Sequence, residues 1–203
     1  MSAGARTRAA ERTGAALPSR RLFFALVPGA AARTALHALA RTHAGRARIV
    51  RAADLHLTLL FLGQVSEAAL PGLRAAAAAV RAVPCSVMIE RLERWRGGLL
   101  CATGPVPAPL RTLHAQLLAA VRDLGLRVDA RPLRAHVTLA RGVARAPVAQ
   151  AQETAQVRWR SRSLCLMESR PRPDGRRYAV VGRWPLDRAP NAVAQHENAR
   201  IGA

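Results

Sequence analysis

The sequence predicts a fold that mixes α-helices with β-hairpins in two rough copies of one plan. The chain has 203 residues, a length that suits one domain made of two similar lobes around one cleft. Half of the residues are hydrophobic, which is enough for a sizeable core. The segments LHLTLLFLG, from Leu55, and RAHVTLARG, from Arg134, match at H-x-T-L and at a later glycine. Strands and helices follow in a similar order around both segments, so we expect a pseudo-twofold relation.

The first copy begins with the apolar run 22–27, which predicts a buried strand stopped by Pro28 and Gly29. Helix-forming residues with apolar spacing predict a helix over 30–44. A short strand is expected over 48–52, and the strand that carries LHLTLLFLG ends at Gly63. Ser66 and Glu67 then open an alanine-rich helix that continues to about residue 81.

The second copy starts with two strands, 84–93 and 99–102, around a Gly-Gly turn. A proline-rich loop precedes an amphipathic helix over 110–124, which Gly125 closes. Residues 133–141 form the next predicted strand. A last hairpin, with strands 157–169 and 177–184, flanks the polar turn 172–175.

Two tails are expected to flank a single folded domain over residues 21–187. Residues 1–20 have no apolar core of the kind that a secretory signal peptide needs, so we predict a disordered tail there and a second one over 188–203. No apolar run approaches the roughly 18 residues that span a bilayer, so no membrane association is predicted. Cys85, Cys101 and Cys165 form no CxxC pair, which favours reduced thiols and a cytoplasmic location.

The net charge of +20 resembles that of a nucleic-acid-binding protein. All 32 basic residues are arginine and alanine is abundant, a pairing that is typical of a GC-rich genome. Part of the charge is therefore compositional bias. The remaining charge still attracts polyanions and favours a phosphate-bearing partner.

The two H-x-T-L tetrapeptides are the candidates for chemistry. Side chains alternate between the faces of a strand, so His56 and Thr58 share one face and His136 and Thr138 share another. The alternate positions are apolar and anchor each strand in the core; they are Leu57, Leu59, Val137 and Leu139. Each motif therefore presents an imidazole and a hydroxyl on a rigid mount.

Two such units that face each other suit acid–base chemistry on a phosphodiester. One neutral imidazole can take a proton from water while a protonated one gives a proton to the leaving oxygen. The threonine hydroxyls can bind the phosphoryl oxygens. Two copies among six histidines are a specific pattern, although the alternative that both are core histidines bonded to a nearby threonine stays open.

The pair of motifs, some 80 residues apart, resembles the two-histidine phosphoesterase superfamily, and in it the RNA 2′,3′-cyclic phosphodiesterases also called 2′-5′ RNA ligases (LigT-like). The opening RLFFALVP at 21–28, LHLTLLFLG at 55–63 and HVTLAR at 136–141 carry the resemblance. It implies a bilobal α+β fold, with two antiparallel β-sheets around a central cleft and helices packed on the outside. Residues 21–187 would be a two-lobed phosphoesterase domain.

The resemblance also implies roles for individual residues. His56 would be the proton donor to the departing 3′ oxygen and His136 the proton acceptor from water, in the hydrolysis of RNA terminal 2′,3′-cyclic phosphates. Thr58, Thr138 and Arg141 would bind the phosphate. An ideal strand turns Arg141 away from His136, so a bulge would have to redirect it. Phe24 is a candidate for packing behind the site or stacking on a base, with a plain core position as the alternative.

No cofactor and no metal ion is expected, and the expected partners are RNA ends with a 2′,3′-cyclic phosphate, with tRNA fragments as one source. We expect a monomer. Three alternatives stay open: 2′-5′ RNA ligation in the same site, a non-catalytic RNA-binding module, and hydrolysis of small cyclic nucleotides. The arginine-flanked Trp95 and Trp159 suit either hairpin packing or base stacking.

Overall fold

The computed structural model describes residues 18–129, 131–144, 153–173 and 175–187. The described part has nine β-strands and three α-helices. In chain order they are β1 (Ser19–Leu26), α1 (Ala30–His43), β2 (Arg48–Ile49), β3 (Leu57–Ser66), α2 (Leu70–Ala79), β4 (Cys85–Trp95), β5 (Leu99–Thr103), α3 (Ala108–Asp123), β6 (His136–Arg141), β7 (Glu153–Ser161), β8 (Ser163–Arg172) and β9 (Gly175–Pro185).

The two predicted tails fall almost entirely outside the described residues. Residues 188–203 are not among them, and neither are residues 1–17. Strand β1 begins at Ser19, so the folded part starts two residues earlier than the predicted boundary at 21. Within the described ranges, no helix is long and apolar enough to cross a membrane.

The strands form one antiparallel sheet, in the order β7-β4-β5-β6-β3-β1-β8-β9, with β2 paired to β6. The α+β class is confirmed. Where two sheets were predicted, the structure has two halves of one sheet, which we call the first half (β3, β1, β8, β9) and the second half (β6, β5, β4, β7, with β2). A single residue pair, Leu57 opposite Val137, joins them. The motif strands β3 and β6 are therefore central, in equivalent positions.

The predicted strand 157–169 is wrong, because it is two strands separated by Arg162. Strand β7 pairs with β4 in the second half, whereas β8 pairs with β1 and β9 in the first half. The chain therefore crosses between the halves at Arg162. No glycine or proline marks the crossing, and both strands are rich in apolar residues, so the local sequence reads as continuous.

All three helices pack on one face of the sheet. Helix α1 contacts β6 and β7, α3 contacts β3 and α2, and α2 contacts β9. On β1 the alternate residues Leu22, Phe24 and Leu26 are fully buried in the main core under these helices. Phe23 and Ala25 point the other way, into a small cluster with β8 residues. The face opposite the helices, which we call the open face, therefore carries the side chains that alternate with the core.

Gly104 lies where β5 leaves the sheet, and a Cβ there would overlap the backbone carbonyl oxygen of Met88. We therefore predict that Gly104→Ala lowers the free energy of unfolding by about 3 kcal/mol, since the backbone of Met88 is held in the pairing of β4 with β7 and cannot move aside cheaply. Gly29→Ala is the matched control because its Cβ meets nothing within 4 Å. It should cost about 1 kcal/mol at most. Urea unfolding measures both, and equal losses would contradict the close approach at Gly104.

Candidate active site

The four motif apolar residues hold the two motifs in the core. Leu57, Val137 and Leu139 are fully buried and Leu59 is 3% exposed. Because Leu57 and Val137 both face the core and pair with each other, the residues beside them in each strand face the open side. His56, Thr58, His136 and Thr138 are all partly buried there. The join between the halves thus gathers two imidazoles and two hydroxyls on one surface.

Both motif strands contain a bulge at the leucine of H-x-T-L. In β3, Thr58 pairs with Ala25 while Leu60 pairs with Phe24, the preceding residue of β1, which leaves Leu59 as the extra residue. In β6, Cys101 pairs with Thr138 while its neighbour pairs with Ala140, which leaves Leu139 extra. A bulge shifts the alternation of faces by one residue. The residue five positions after each histidine therefore returns to the open face.

This bulge redirects Arg141, which an ideal strand would turn away. Both Leu139 and Ala140 are buried in the core, and Arg141 follows them half-buried. Its charge acts on His56 and on Cys101, whose Sγ lies 4.0 Å from Thr138 Oγ1. The structure thus brings Arg141 to the same surface as the motif residues. The equivalent residue of β3 is Phe61, which is 41% exposed.

Phe24 does not reach the open face. It is fully buried in the main core, so the base-stacking role considered for it is wrong. Its neighbour Phe23 lies on the open face instead, with its ring centroid 4.8 Å from that of His56. The run LFFALV is apolar at every position, so periodicity alone does not show which phenylalanine faces the cleft.

Each catalytic candidate is tied to the backbone two residues before it. The Nδ1–H of His56 donates to the carbonyl oxygen of Asp54 at 2.7 Å, and the Nδ1–H of His136 donates to that of Arg134 at 2.8 Å. A carbonyl oxygen only accepts, so Nδ1 carries the proton in both neutral rings. Each Nε2 then has a free lone pair. The same local geometry occurs in both motifs and gives both rings the same tautomer and the same hydrogen-bond partner.

Aromatic rings enclose His56. The centroid of Tyr178 lies 4.6 Å from that of the imidazole, and these two rings meet edge to face, whereas the contact with Phe23 is tilted. Asp54, which is 5% exposed, accepts a hydrogen bond from the Tyr178 backbone N–H at 3.2 Å. The carboxylate of Asp54 therefore holds β9 against the ring, while its carbonyl oxygen holds the ring itself. Sequence reasoning missed Tyr178 because β9 reaches His56 only through tertiary pairing.

Trp95 and Glu93 of β4 hold His136 within the second half. The Trp95 ring centroid lies 4.5 Å from that of His136, and the Arg134 guanidinium lies 4.4 Å from the same indole. Glu93 accepts hydrogen bonds from Trp95 Nε1 at 2.6 Å, Thr103 Oγ1 at 2.8 Å and Arg134 at 3.1 Å. Glu93 thereby holds both residues that contact His136. Trp95 contacts the imidazole ring, and the carbonyl oxygen of Arg134 accepts its Nδ1–H. Trp95 lies at the site, whereas Trp159 is 8% exposed and packs in the core.

Burial lowers the pKa of both imidazoles, because a protonated ring loses hydration there. For His56, burial together with the charges of His136 and Arg141 outweighs the hydrogen bond to Asp54 and lowers the pKa to about 4. For His136, burial and the charge of Arg134 outweigh the hydrogen bond to the Arg134 carbonyl and the attraction of Glu93. Both rings are therefore neutral near pH 7 in the free protein.

The remaining histidines lie elsewhere. His37, His43 and His114 are on helices α1 and α3, as predicted, and His196 lies outside the described residues. In the ranges that the structure describes, no three His, Cys, Asp or Glu side chains gather as a set of metal ligands.

The two central strands of the sheet each present a histidine that is bonded to a backbone carbonyl oxygen and is followed two residues later by a threonine. This arrangement defines the two-histidine phosphoesterase class. The sequence model of the 2′-5′ RNA ligase superfamily matches residues 27–172, and the chain belongs to this superfamily. No curated protein sequence matches the chain significantly.

Solved structures of similar proteins match over most of the chain. A protein described as a phosphoesterase is 27% identical, with a TM-score of 0.75 over 84% of this chain and 100% of its own. Apo LigT of E. coli is 26% identical, with a TM-score of 0.74 over 84% and 99%. The protein TT0787 of Thermus thermophilus is 26% identical, with a TM-score of 0.72 over 82% and 97%. The chain thus spans the full fold of these proteins.

We predict that His56 makes folding stability depend on pH. Its folded pKa of about 4 is below the unfolded value near 6.5, so between these pH values the unfolded chain binds the extra proton. Stability should therefore fall as the pH is lowered from 6.5 to 5, by about 2 kcal/mol from this group. Denaturant unfolding of the wild type, His56→Gln and the control His37→Gln measures the slope. A slope that is as steep in His56→Gln as in the wild type contradicts the assignment.

We predict that Glu93→Gln lowers the pKa of His136 further, because it removes a negative charge that favours the protonated ring. The same change should shift the indole N–H resonance of Trp95 upfield, since its charge-assisted hydrogen bond is lost. Titration of the imidazole Cε1–H signals and the three indole signals by NMR measures both effects.

Glu67→Gln is the matched control for Glu93→Gln, because it removes the same charge from an ion pair with Arg20 at the far end of β3. It should leave the pKa of His136 and the Trp95 signal unchanged. If Glu93→Gln raises the pKa of His136, Glu93 does not act on the ring as its geometry indicates.

Proposed function

We propose that this protein hydrolyses terminal 2′,3′-cyclic phosphates of RNA to 2′-phosphomonoesters. The observation that carries the proposal is the pair of imidazoles on one surface, each held at Nδ1 by a carbonyl oxygen so that Nε2 is free. A cyclic phosphodiester needs a base on one side of phosphorus and an acid on the other. Two equivalent imidazoles around a join supply that arrangement.

In the proposed reaction, His136 takes a proton from water at Nε2 while the water oxygen forms a bond to phosphorus. The bond between phosphorus and O3′ breaks, and His56 gives its Nε2 proton to the departing O3′. The resemblance to the family sets this order, since the geometry anchors both rings alike. Thr58, Thr138 and Arg141 would bind the non-bridging oxygens, and their partial burial on the face of the two histidines supports this role.

The low pKa of His56 is compatible with its proposed role as the acid. In the free protein the protonated ring is disfavoured by burial, by the nearby imidazole of His136 and by the positive charge of Arg141. An anionic phosphodiester between the rings opposes each of these effects, because it attracts the imidazolium and partly neutralises the arginine. The substrate itself thereby favours the protonated form of His56 that the reaction needs.

RNA is the proposed partner because the protein has a large positive charge and because a similar protein binds a ribonucleotide. The formal charge is +20, and E. coli LigT has been crystallised with 3′-AMP, a ribonucleotide with a phosphate on its sugar. The free, buried thiols of Cys85, Cys101 and Cys165 are compatible with the proposed cytoplasmic location. The name of the superfamily also refers to RNA ligation. Ligation would use the same two histidines, with a 5′-hydroxyl in place of water.

We predict that His56→Ala and His136→Ala each lower kcat by about 10² to 10⁴ on an RNA oligomer with a 2′,3′-cyclic end. Conversion to the 2′-phosphate, in excess chelator, is followed by electrophoresis or mass spectrometry. His37→Ala on α1 is the control and should retain wild-type activity.

Full activity in either motif variant contradicts the proposed mechanism, and loss of wild-type activity in chelator shows that a metal ion takes part. A parallel reaction with a second RNA that has a 5′-hydroxyl separates the directions. A 2′-5′-linked product that forms faster than the 2′-phosphate would replace hydrolysis by ligation as the function.

A further inference from the structure

A cavity of about 480 Å³ lies beside strands β4 and β7, away from the two histidines. Its apolar lining comes from Met88, Pro105 and Pro107, and Arg158 and Arg160 lie at its rim. We call it the arginine-rimmed cavity. The residues of the proposed catalytic site are not among its lining residues, so the proposed reaction leaves it without a role.

The arginine-rimmed cavity opens on the same face of the sheet as the histidines. On β7 the residues Ala155, Val157 and Trp159 are buried in the core, and the residues between them are exposed. Arg158 and Arg160 therefore project from the open face. They lie opposite Met88 and Ser86 of β4, respectively. An occupant of this cavity would share a continuous surface with a phosphate bound between the histidines.

A short strand segment connects the cavity to His136. Thr103 of β5 pairs directly with His136, and Pro105 of the cavity follows only two residues later, about 7 Å along the chain. Between them lies a smaller cavity of about 170 Å³, which is lined by Glu93, Thr103 and Arg134 among others. Residues 104–107 thus line both cavities and connect the arginine-rimmed cavity to the surroundings of His136.

Charge distinguishes this edge from the equivalent edge of the first half. There, Arg20 forms ion pairs with Glu67 at 2.7 Å and with Glu168 at 3.7 Å, and Arg170 pairs with Glu168 at 2.8 Å. Among the ion pairs of the described residues, none involves Arg158 or Arg160. Arg158 and Arg160 are thus available to an anion, whereas Arg20 and Arg170 are each paired with a carboxylate.

We propose that the arginine-rimmed cavity binds the RNA strand on the 5′ side of the terminal nucleotide. Arg158 and Arg160 would contact backbone phosphates, and an unpaired base would lie against the apolar lining. This proposal rests on the proposed RNA substrate, and it adds where the rest of the RNA strand is bound.

The test compares a 2′,3′-cyclic mononucleotide with a pentanucleotide that has the same cyclic end. The double variant Arg158→Ala/Arg160→Ala should raise KM for the pentanucleotide about tenfold and leave kcat unchanged. Kinetics on the mononucleotide should not change, because it is too short to reach the cavity. Arg41→Ala/Arg122→Ala is the matched control, since it removes the same charge from exposed positions on helices α1 and α3.

A binding measurement separates this proposal from the proposed reaction. Fluorescence anisotropy with a labelled pentanucleotide that ends in a 2′-phosphate gives the affinity at several salt concentrations. Loss of two phosphate contacts should make the slope of log K against log salt shallower by about 1.4. Weaker binding in the Arg158/Arg160 variant alone supports the cavity even if the wild type hydrolyses no cyclic end.

Two results would overturn the proposal. One is equal weakening in the control variant, which would mean that only the total charge matters. The other is unchanged pentanucleotide KM and affinity in the Arg158/Arg160 variant, which would place the RNA body elsewhere while the reaction at the histidines stands.

Discussion

The backbone pair between Leu57 and Val137 is the constraint on which the site depends. It is the single pair that joins β3 to β6, and both side chains are fully buried. Since faces alternate along a strand, burial of these two residues directs the flanking histidines and threonines to the open face. A slip of one residue in either strand would turn an imidazole into the core and a leucine into the cleft. The apolar positions of the motif are therefore as necessary as the polar ones.

The bulges at Leu59 and Leu139 show how one local plan gives different chemistry in each half. Both bulges return the residue five positions after the histidine to the open face. That residue is Phe61 in the first half and Arg141 in the second. One half thus adds an exposed aromatic ring, with the Arg21 guanidinium 4.6 Å from its centroid, and the other adds a positive charge. The pseudo-twofold therefore holds for the backbone and fails for these two side chains of the open face.

An acidic residue lies near each imidazole, but its carboxylate does not bond to the ring nitrogens. Asp54 binds the backbone of Tyr178, and Glu93 binds Trp95, Thr103 and Arg134. Partial burial opposes the charge on Glu93, but its hydrogen bonds outweigh that and lower its pKa, so it stays ionised. Each half therefore places a carboxyl group near a buried imidazole, where it favours the protonated ring. Burial nevertheless lowers the pKa of both imidazoles, and the two carboxylates offset this only in part.

The sequence by itself determined the polar pair and the apolar pair of each motif, because a period of two is a local property of a strand. It also located most helices and strands, and the possibility of a bulge at Arg141. Only the tertiary structure decided that Phe23 rather than Phe24 faces the cleft, that 157–169 is split between the halves, and that Trp95 and Tyr178 enclose the histidines. These facts depend on which strands pair and in which register, and such long-range pairing leaves no trace in the local pattern of an apolar run.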